Sequence, residues 1–255
     1  MRVKDINGKG QPLSKMAKEE VYMLKKLDDE MKRRLAMTFG GVLIAGFSVG
    51  MFQFSLMGMD PFQVFAHGIW TQLQHIMTGG SPRFFTDYDA ANPVIGYGVV
   101  YMVINMVLLV FDFFLDRKKL GIATFINLFL LGYVVDFSYN LWRRLILNPT
   151  FVIRIVILLV AIVIICFASA LYFTSDLGVS TYDAIALALS EQRKWDFKFV
   201  RITCDLICTG LGFAMGVLPG IGTIITAFFM GPLIEFFNVK VARPLRYGKN
   251  NIEAK

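Results

Sequence analysis

The strongest constraint on the fold is a pair of segments that each occur twice in the 255-residue chain. The first pair reads GMDPFQVFA at residues 58–66 and GVSTYDAIA at residues 178–186. The second pair reads GIATFINLFLLGYVVD at residues 121–136 and GIGTIITAFFMGPLIE at residues 220–235. Glycines, threonines, phenylalanines and terminal acids fall in register. A doubled unit with short, interrupted apolar segments is typical of transporters built from inverted repeats.

The composition indicates a membrane protein, because 56% of the residues are hydrophobic and 24 of them are Phe. A soluble domain of this size is rarely so apolar. Several stretches approach or exceed the roughly 20 apolar residues that span a bilayer. The six predicted spans are residues 35–57, 92–115, 120–142, 151–174, 197–217 and 220–239. Two shorter stretches, residues 61–77 and 180–190, are predicted to be re-entrant helices buried in protein or lining a cavity.

The distribution of positive charge predicts the topology. Residues 1–34 carry ten Lys and Arg, whereas the segments assigned to the outside carry only Arg83, Arg143 and Arg144. Positive residues accumulate on the cytoplasmic side, so both termini are predicted in the cytoplasm. The net charge of +7 lies at the ends of apolar spans, so it is explained by membrane topology and does not predict a nucleic-acid partner. Because each unit has three spans, an odd number, the second unit starts on the opposite side of the membrane and is inverted relative to the first. If the short stretches were full spans, the two units would be parallel.

The predicted fold class is an all-α membrane protein with six transmembrane helices as two inverted repeats, each with three spans plus a short re-entrant helix. Residues 1–34 are predicted to be a charged helical tail in the cytosol. Residues 35–240 form the polytopic membrane domain, with repeat one at 35–142 and repeat two at 151–240. Residues 241–255 form a second cytosolic tail.

The starts of the two short helices hold the first candidate site residues. Asp60 stands three positions before Gln63, and Ser180 stands three positions before Asp183. Both patterns are capping boxes, which satisfy free backbone amides at a helix start. One interpretation is that Gln63 and Asp183 only start helices. The other is that both helix starts face a polar cavity, where amides and an acid bind a solute or a proton.

Charged and polar side chains inside apolar segments extend the candidate set. Arg201 and Asp205 lie four residues apart on one face of the fifth span, within reach of Asp183. Charges at that depth cost a few kcal/mol unless paired, so they form either a structural ion pair or a site for solute or coupling ion. His67 belongs to a polar stripe on the first short helix. It is expected either to line the cavity, where it could take a proton near neutral pH, or to be a packed, hydrogen-bonded residue.

The second doubled segment supplies weaker candidates. Thr124 and Thr223 follow the two leading glycines, where small residues allow close helix packing and Thr hydroxyls bond across helices. The alternative is that Thr124, Thr223, Asn127 and Thr226 line the solute path. Asp136 and Glu235 end the two copies and are predicted to be gate residues or polar span ends.

Enzyme signatures are absent from the sequence. It contains no HExxH, Walker A or GxSxG motif, and its two His residues are not placed to bind a metal. We therefore predict no enzymatic activity, no metal site and no cofactor, and no self-contained ATP-driven transport.

Together these motifs resemble the YczE/YyaS/YitT group of bacterial integral membrane proteins, especially its YczE-like branch. That branch shows a doubled Gly-x-x-Pro-x-Asp element, a doubled Gly-Ile-Gly-Thr element that ends in an acid, and an Arg followed four residues later by an acid. The matching residues are Gly58 with Pro61, Gly178 with Asp183, Gly121 to Thr124, Gly220 to Thr223, and Arg201 with Asp205. Gln63 stands where the group often has Asp, and Thr181 replaces the proline. The resemblance implies a multi-pass protein of the bacterial plasma (inner) membrane.

The leading hypothesis for function is a secondary transporter or permease, with its site between the two repeats. The predicted partners are the lipid bilayer, a small polar solute and a coupling ion. The alternative is a non-transporting accessory or sensor protein of the membrane. Polar residues that converge on a water-filled cavity would favour transport, and polar residues paired in a sealed core would favour the alternative.

Overall fold

The computed structural model describes residues 15–78 and 94–248, and within these ranges the chain is helical and forms no strand. The longer helices are α1 (Lys15–Ser55), α2 (Pro61–Thr78), α3 (Tyr97–Leu115), α4 (Ile122–Leu145), α5 (Phe151–Ser175), α6 (Thr181–Arg193), α7 (Phe197–Ala214) and α8 (Ile221–Phe237). A 3₁₀ turn, Arg117–Lys119, precedes α4. A π-helical turn, Asn238–Ala242, and the short helix α9 (Arg243–Tyr247) follow α8.

Five helical stretches of the described chain are long and apolar enough to cross a membrane. They are Leu27–Ser55, Tyr97–Leu115, Ile122–Leu145, Phe151–Ser175 and Ile221–Tyr247. The predicted fifth span corresponds to α7, whose 18 residues include Lys198, Arg201 and Asp205. Because α7 is only 18 residues long, all three charges fall within one span length, and α7 is not among the five apolar stretches. The count of six spans therefore stays a prediction.

The two predicted short helices are present as α2 and α6, with 18 and 13 residues. The first helix differs from the prediction, because α1 continues without a break from residue 15 across the predicted boundary at residue 34. The rest of the predicted N-terminal tail, most of the predicted insertion at residues 78–91, the first residues of the second span and the end of the C-terminal tail lie outside the described residues.

The connections after α1 and α5 share one backbone conformation. Leu56 and Asp176 both have φ of 54°, and Gly58 and Gly178 both have φ of 114°. A φ of 114° lies in the left-handed half of conformational space, which glycine enters without the steric penalty of a side chain. The doubled glycine of the first repeated segment therefore has a direct structural cause.

Each of these connections is hydrogen-bonded to the start of a helix from the other half of the chain. The N–H of Gly222 at the start of α8 donates to the carbonyl of Met57 at 2.8 Å. The N–H of Ala123 at the start of α4 donates to the carbonyl of Leu177 at 3.0 Å. The two halves are thus joined by a matching pair of contacts.

The backbones approach so closely at these contacts that glycine is required. A Cβ atom on Gly121 would lie 2.0 Å from the carbonyl oxygen of Leu177, and one on Gly220 would lie 2.1 Å from that of Met57. No side chain fits at such distances, so the leading glycines of the second repeated segment are explained by this packing.

Helices α1 and α5 pack against each other at the centre of the molecule. Helix α1 also packs on α4, and α5 packs on α8, while the shorter helices pair across the halves as α2 with α7 and α3 with α6. At the α1–α4 contact, a Cβ on Gly50 would lie 2.5 Å from Cβ of Ser138. The hydroxyl of Ser138 donates to the carbonyl of Phe47 at 2.7 Å.

Two arginines, one from α1 and one from α9, bind the C-terminal end of α5. The Arg34 Nε donates to the carbonyl of Ser175 at 2.7 Å, and Arg246 Nη1 donates to that of Thr174 at 2.6 Å. The same two guanidinium groups each lie 3.4 Å from the carboxylate of Asp176. Residues from α1, α5 and α9 therefore meet at one end of the bundle.

Candidate functional site

A cavity of about 120 Å³ lies between the two halves, and residues from α1 to α8 line it. Three of the main predicted site residues are in its wall, Gln63, Asp183 and Arg201, together with the predicted path residues Asn127 and Thr226. A protein cavity of about 150 Å³ can admit benzene. The central cavity is therefore large enough for several water molecules or one small solute.

Arg201 is held between two carboxylates. Its Nη1 contacts Oδ1 of Asp183, and its Nε lies 3.4 Å from Oδ1 of Asp205. The guanidinium carbon also lies 4.5 Å from the centroid of the Tyr182 ring, in range for a cation–π interaction. The two predicted charges and Asp183 thus form one cluster, which joins the start of α6 to α7.

Hydrogen bonds fix the two carboxylates in this cluster. The Tyr182 hydroxyl donates to Oδ1 of Asp205 at 2.6 Å. The Ser180 hydroxyl donates to Oδ2 of Asp183 at 2.6 Å and accepts the backbone N–H of Asp183 at 3.1 Å. Ser180 therefore caps α6, while the Asp183 carboxylate accepts from the Ser180 hydroxyl and contacts Arg201. A role for Asp183 in binding a solute or a proton stays a prediction.

Asp60 adds a third carboxylate, which the sequence had suggested only as a helix cap. Its Oδ1 accepts the backbone N–H of Phe62 at 3.1 Å, so it does cap α2. It also lines the central cavity and lies within electrostatic range of Arg201 and Asp205. The cluster consequently contains one guanidinium and three carboxylates. Because Asp60 is far from the others in sequence, only the contact between halves brings it there.

Gln63 faces the cavity from the first half. Its Oε1 accepts a hydrogen bond from the hydroxyl of Tyr97, whose ring is 4% exposed. Gln63 is itself 4% exposed. Gln63 and Asp183, near the starts of α2 and α6, therefore both line the central cavity, and their binding of a solute stays a prediction.

His67 lies outside the cavity wall. Its ring packs edge-on against Trp70, with centroids 4.8 Å apart, and stacks on Tyr97 at 5.7 Å. Its Nδ1 lies 3.3 Å from the hydroxyl of Thr71. These contacts agree with a packed, hydrogen-bonded histidine. Tyr97, which stacks on His67, also donates a hydrogen bond to Gln63.

Gln74, the last member of the polar stripe on α2, and its neighbour Trp70 hold the segment before α3. Trp70 Nε1 and Gln74 Nε2 both donate to the carbonyl of Ile95, at 2.8 and 2.6 Å. Gln74 Oε1 accepts the backbone N–H of Val94 at 3.1 Å. The stripe thus satisfies backbone groups that lipid could not satisfy.

Thr124 and Thr223 bind the connections between the halves. The Thr124 hydroxyl donates to the carbonyl of Val179 at 2.6 Å and accepts the N–H of Gly121 at 3.2 Å. The Thr223 hydroxyl accepts the N–H of Met59 at 3.2 Å. These bonds agree with the packing interpretation, and a position along the solute path stays a prediction for both residues.

Asp136 and Glu235 have different surroundings although they end the same repeated segment. Asp136 Oδ2 accepts the N–H of Gly98 at 2.8 Å and so caps the start of α3. Glu235 is 61% exposed and lies 3.7 Å from Nη2 of Arg243. Gate roles for these two acids stay a prediction.

Asp205 also borders a groove of about 520 Å³ between α7 and α8. The lining is mostly apolar and includes Leu206 and Phe228, which are 71% and 66% exposed. In a bilayer such side chains face lipid. Asp205 therefore lies between the polar cluster around Arg201 and the apolar surface of this groove.

Asp112 on α3 is a buried acid that the sequence analysis did not single out. It is 1% exposed, and neither carboxylate oxygen has a hydrogen-bond partner among the described residues. The sequence feature that could have identified it is an acid inside the apolar run FDFFL at residues 111–115.

A helical chain with several membrane-length apolar helices around a buried polar cluster is an integral membrane protein. Residues 32–239 match a family described as a family of unknown function, DUF6198, and the chain belongs to this family.

Two similar proteins agree with this family assignment. The chain is 22% identical over 211 residues to the Bacillus subtilis "uncharacterized membrane protein YczE", covering 82% of this chain and 87% of the relative. It is 25% identical over 201 residues to an "uncharacterized protein" of Haemophilus influenzae, covering 78% and 81%. The predicted resemblance to the YczE-like branch is thus confirmed. No solved structure matches the chain.

Proposed function

We propose that this protein is a secondary transporter or permease for a small polar solute in the bacterial plasma membrane. The observation that carries the proposal is the central cavity, where Asp183, Arg201 and Gln63 meet between the two halves. Ionisable residues inside membrane segments are rare and usually mark solute or ion pathways. A cavity at the junction of two related halves is where secondary transporters hold their substrates.

The proposed topology has six spans and two inverted repeats, with both termini in the cytoplasm. In this arrangement α7 crosses the membrane, because Arg201 and Asp205 are paired inside the protein and need not face lipid. Helices α2 and α6 enter from opposite faces without crossing. The matching contacts at Gly58 and Gly178 would act as the two pivots about which one half rocks against the other.

Cysteine labelling tests this topology. Leu147 and Trp195 are 82% and 63% exposed and lie in connections between helices. Six spans place Leu147→Cys outside and Trp195→Cys inside, so an impermeant maleimide added to intact cells should label only the first. Labelling of neither from outside would indicate that α2 and α6 both cross the membrane and would contradict the inverted repeat. A C-terminal fluorescent or phosphatase fusion separates six spans from five.

The alternative is a non-transporting accessory or sensor protein. The observation that favours it is the pairing of Arg201 with both Asp183 and Asp205, since such a cluster can serve structure alone. The two functions differ in whether the cavity binds a solute.

A thermal-stability screen of the detergent-purified protein decides between them. The panel contains small cations, amino acids, vitamins and metabolites, because a ligand that binds the folded state raises Tm by mass action. Asp183→Asn and Arg201→Ala are screened beside Glu191→Gln, a surface control whose carboxylate pairs with Lys119. A hit that both cavity variants lose and the control keeps supports transport. If no solute shifts the parent while the cavity variants melt lower, the accessory function is favoured.

A further inference from the structure

The charge balance around the central cavity is negative. Asp60, Asp183 and Asp205 supply three carboxylates, and Arg201 is the guanidinium that they surround. Both contacting nitrogens of Arg201 already face a carboxylate. An anionic solute would have to displace Asp183 or Asp205 from Arg201, whereas Asp60 has no such contact with a cation among the described residues.

Two neighbouring polar residues of the cavity lining are not fully satisfied by hydrogen bonds of normal geometry. The Tyr172 hydroxyl and Asn127 Oδ1 both line the cavity side of the core, and neither has a hydrogen bond of normal geometry within the described chain. Tyr172 is 6% exposed. The two groups lie close to each other. Buried polar groups are rarely left unpaired. The amide oxygen can only accept, so a ligand N–H that reaches these covered atoms would satisfy it.

Aromatic rings form part of the lining, and one of them, Tyr182, is already stacked on Phe62 and contacted by Arg201. Phe62, Tyr101, Tyr172 and Tyr182 all line the cavity. The face of an aromatic ring attracts a cation, and the attraction grows when both groups are removed from water. The protein already uses this interaction once, between Arg201 and Tyr182.

We infer that the central cavity is selective for a small monovalent cation of the ammonium type, bound between the Asp60 carboxylate and the aromatic wall. This inference rests on the proposed solute site and names its substrate class. The volume of about 120 Å³ admits an ion with only a few heavy atoms. An ammonium group supplies the positive charge that the carboxylates need and the donors that Tyr172 and Asn127 need.

The test compares solutes of matched size and different charge. The purified parent protein is melted with ammonium, propylammonium or tetramethylammonium chloride, and separately with propionamide or sodium propionate, at one ionic strength. At least one of the ammonium ions should raise Tm by several degrees, and propionamide and propionate should not. Binding that follows positive charge and not size is the expected result.

Asp60→Asn is the matched variant, because asparagine is as good a helix N-cap as aspartate and removes only the charge. We expect it to melt near the parent and to lose most of the ammonium-induced shift, while Glu191→Gln keeps that shift. An equal shift from propionate or propionamide would overturn the cation assignment and leave the proposed transporter standing. The absence of any ammonium-induced Tm shift in the parent would also overturn the cation assignment. The thermal-stability screen with the full solute panel would then test the proposed transporter independently.

Discussion

Phe62 and Tyr182 stack on each other with ring centroids 4.7 Å apart and ring planes 16° apart. The two residues occupy the same position in the two copies of the first repeated segment. Their contact therefore joins corresponding points of α2 and α6 at the boundary between the halves. It also holds the Tyr182 ring where its hydroxyl reaches Asp205 and its face reaches Arg201.

This stack should contribute measurable coupling between the halves. An aromatic pair is worth about 0.5–1.5 kcal/mol beyond the area that it buries. Phe62→Leu and Tyr182→Leu should each lower stability, and the double variant should lose less than the sum of the two, as a double-mutant cycle measures. Tyr182→Phe keeps the stack and loses only the bond to Asp205. Additive losses would mean that the rings contact without stabilising the fold.

Removal of Arg201 should destabilise the protein more than removal of either partner. Arg201→Met leaves two carboxylates facing each other, and breaking a buried ion pair costs about 3–5 kcal/mol. Since 27% of the Arg201 side chain is exposed, we expect a loss near the lower end of that range. Asp205→Asn should cost less, because Asp183 still holds Arg201. The readout is the unfolding free energy in detergent, and equal losses would contradict this ranking.

The glycines at the two inter-half contacts should tolerate no side chain. Gly121→Ala and Gly220→Ala would each place a Cβ about 2 Å from a carbonyl oxygen, so we expect little folded protein on size-exclusion chromatography. Gly210→Ala is the control, because a Cβ there meets nothing within 4 Å. It should be neutral or stabilise α7 by up to about 1 kcal/mol. A folded Gly121→Ala protein with normal Tm would exclude the close contact.

Asp112 should lower the stability of the protein. A carboxyl group at the centre of a membrane helix costs about 2.5–3.5 kcal/mol on insertion scales. Asp112 lies three residues before the end of α3, so its cost should be smaller, but it has no described side-chain hydrogen bond to offset that cost. Asp112→Ala should therefore raise Tm by several degrees, and the near-isosteric Asp112→Asn should raise it less. A lower Tm for both variants would reveal a stabilising partner or a bound ion at this carboxylate.

The sequence predicted the short helices and the leading glycines correctly because those features are local. A capping residue followed by a short apolar stretch predicts a helix start from neighbouring residues alone, and the stretch predicted at residues 180–190 lies largely within α6. The pair Arg201 and Asp205 was equally local, since four residues on a helix share a face.

Other parts of the site could not be predicted because they depend on contacts between distant segments. Asp60 enters the cluster only because α2 packs on α7, and its sequence pattern indicated a helix cap and nothing more. His67 illustrates the opposite case. Its polar stripe suggested a cavity, but Trp70 and Tyr97 enclose the ring, and no periodicity specifies which helix covers such a stripe.

The most direct test of the account is whether the central cavity is reached from both sides of the membrane. Ser169 lines the cavity, and Ser169→Cys would be made with Cys166, Cys204 and Cys208 replaced by Ala. Ser48→Cys is the control, because Ser48 is fully buried between α1 and α5, where its hydroxyl bonds the carbonyl of Ala161. An impermeant methanethiosulfonate is applied to spheroplasts and to inverted vesicles. Alternating access predicts that Ser169→Cys reacts in both preparations and Ser48→Cys in neither. Folded Ser169→Cys protein that reacts in neither preparation, or in only one, would contradict transport through this cavity.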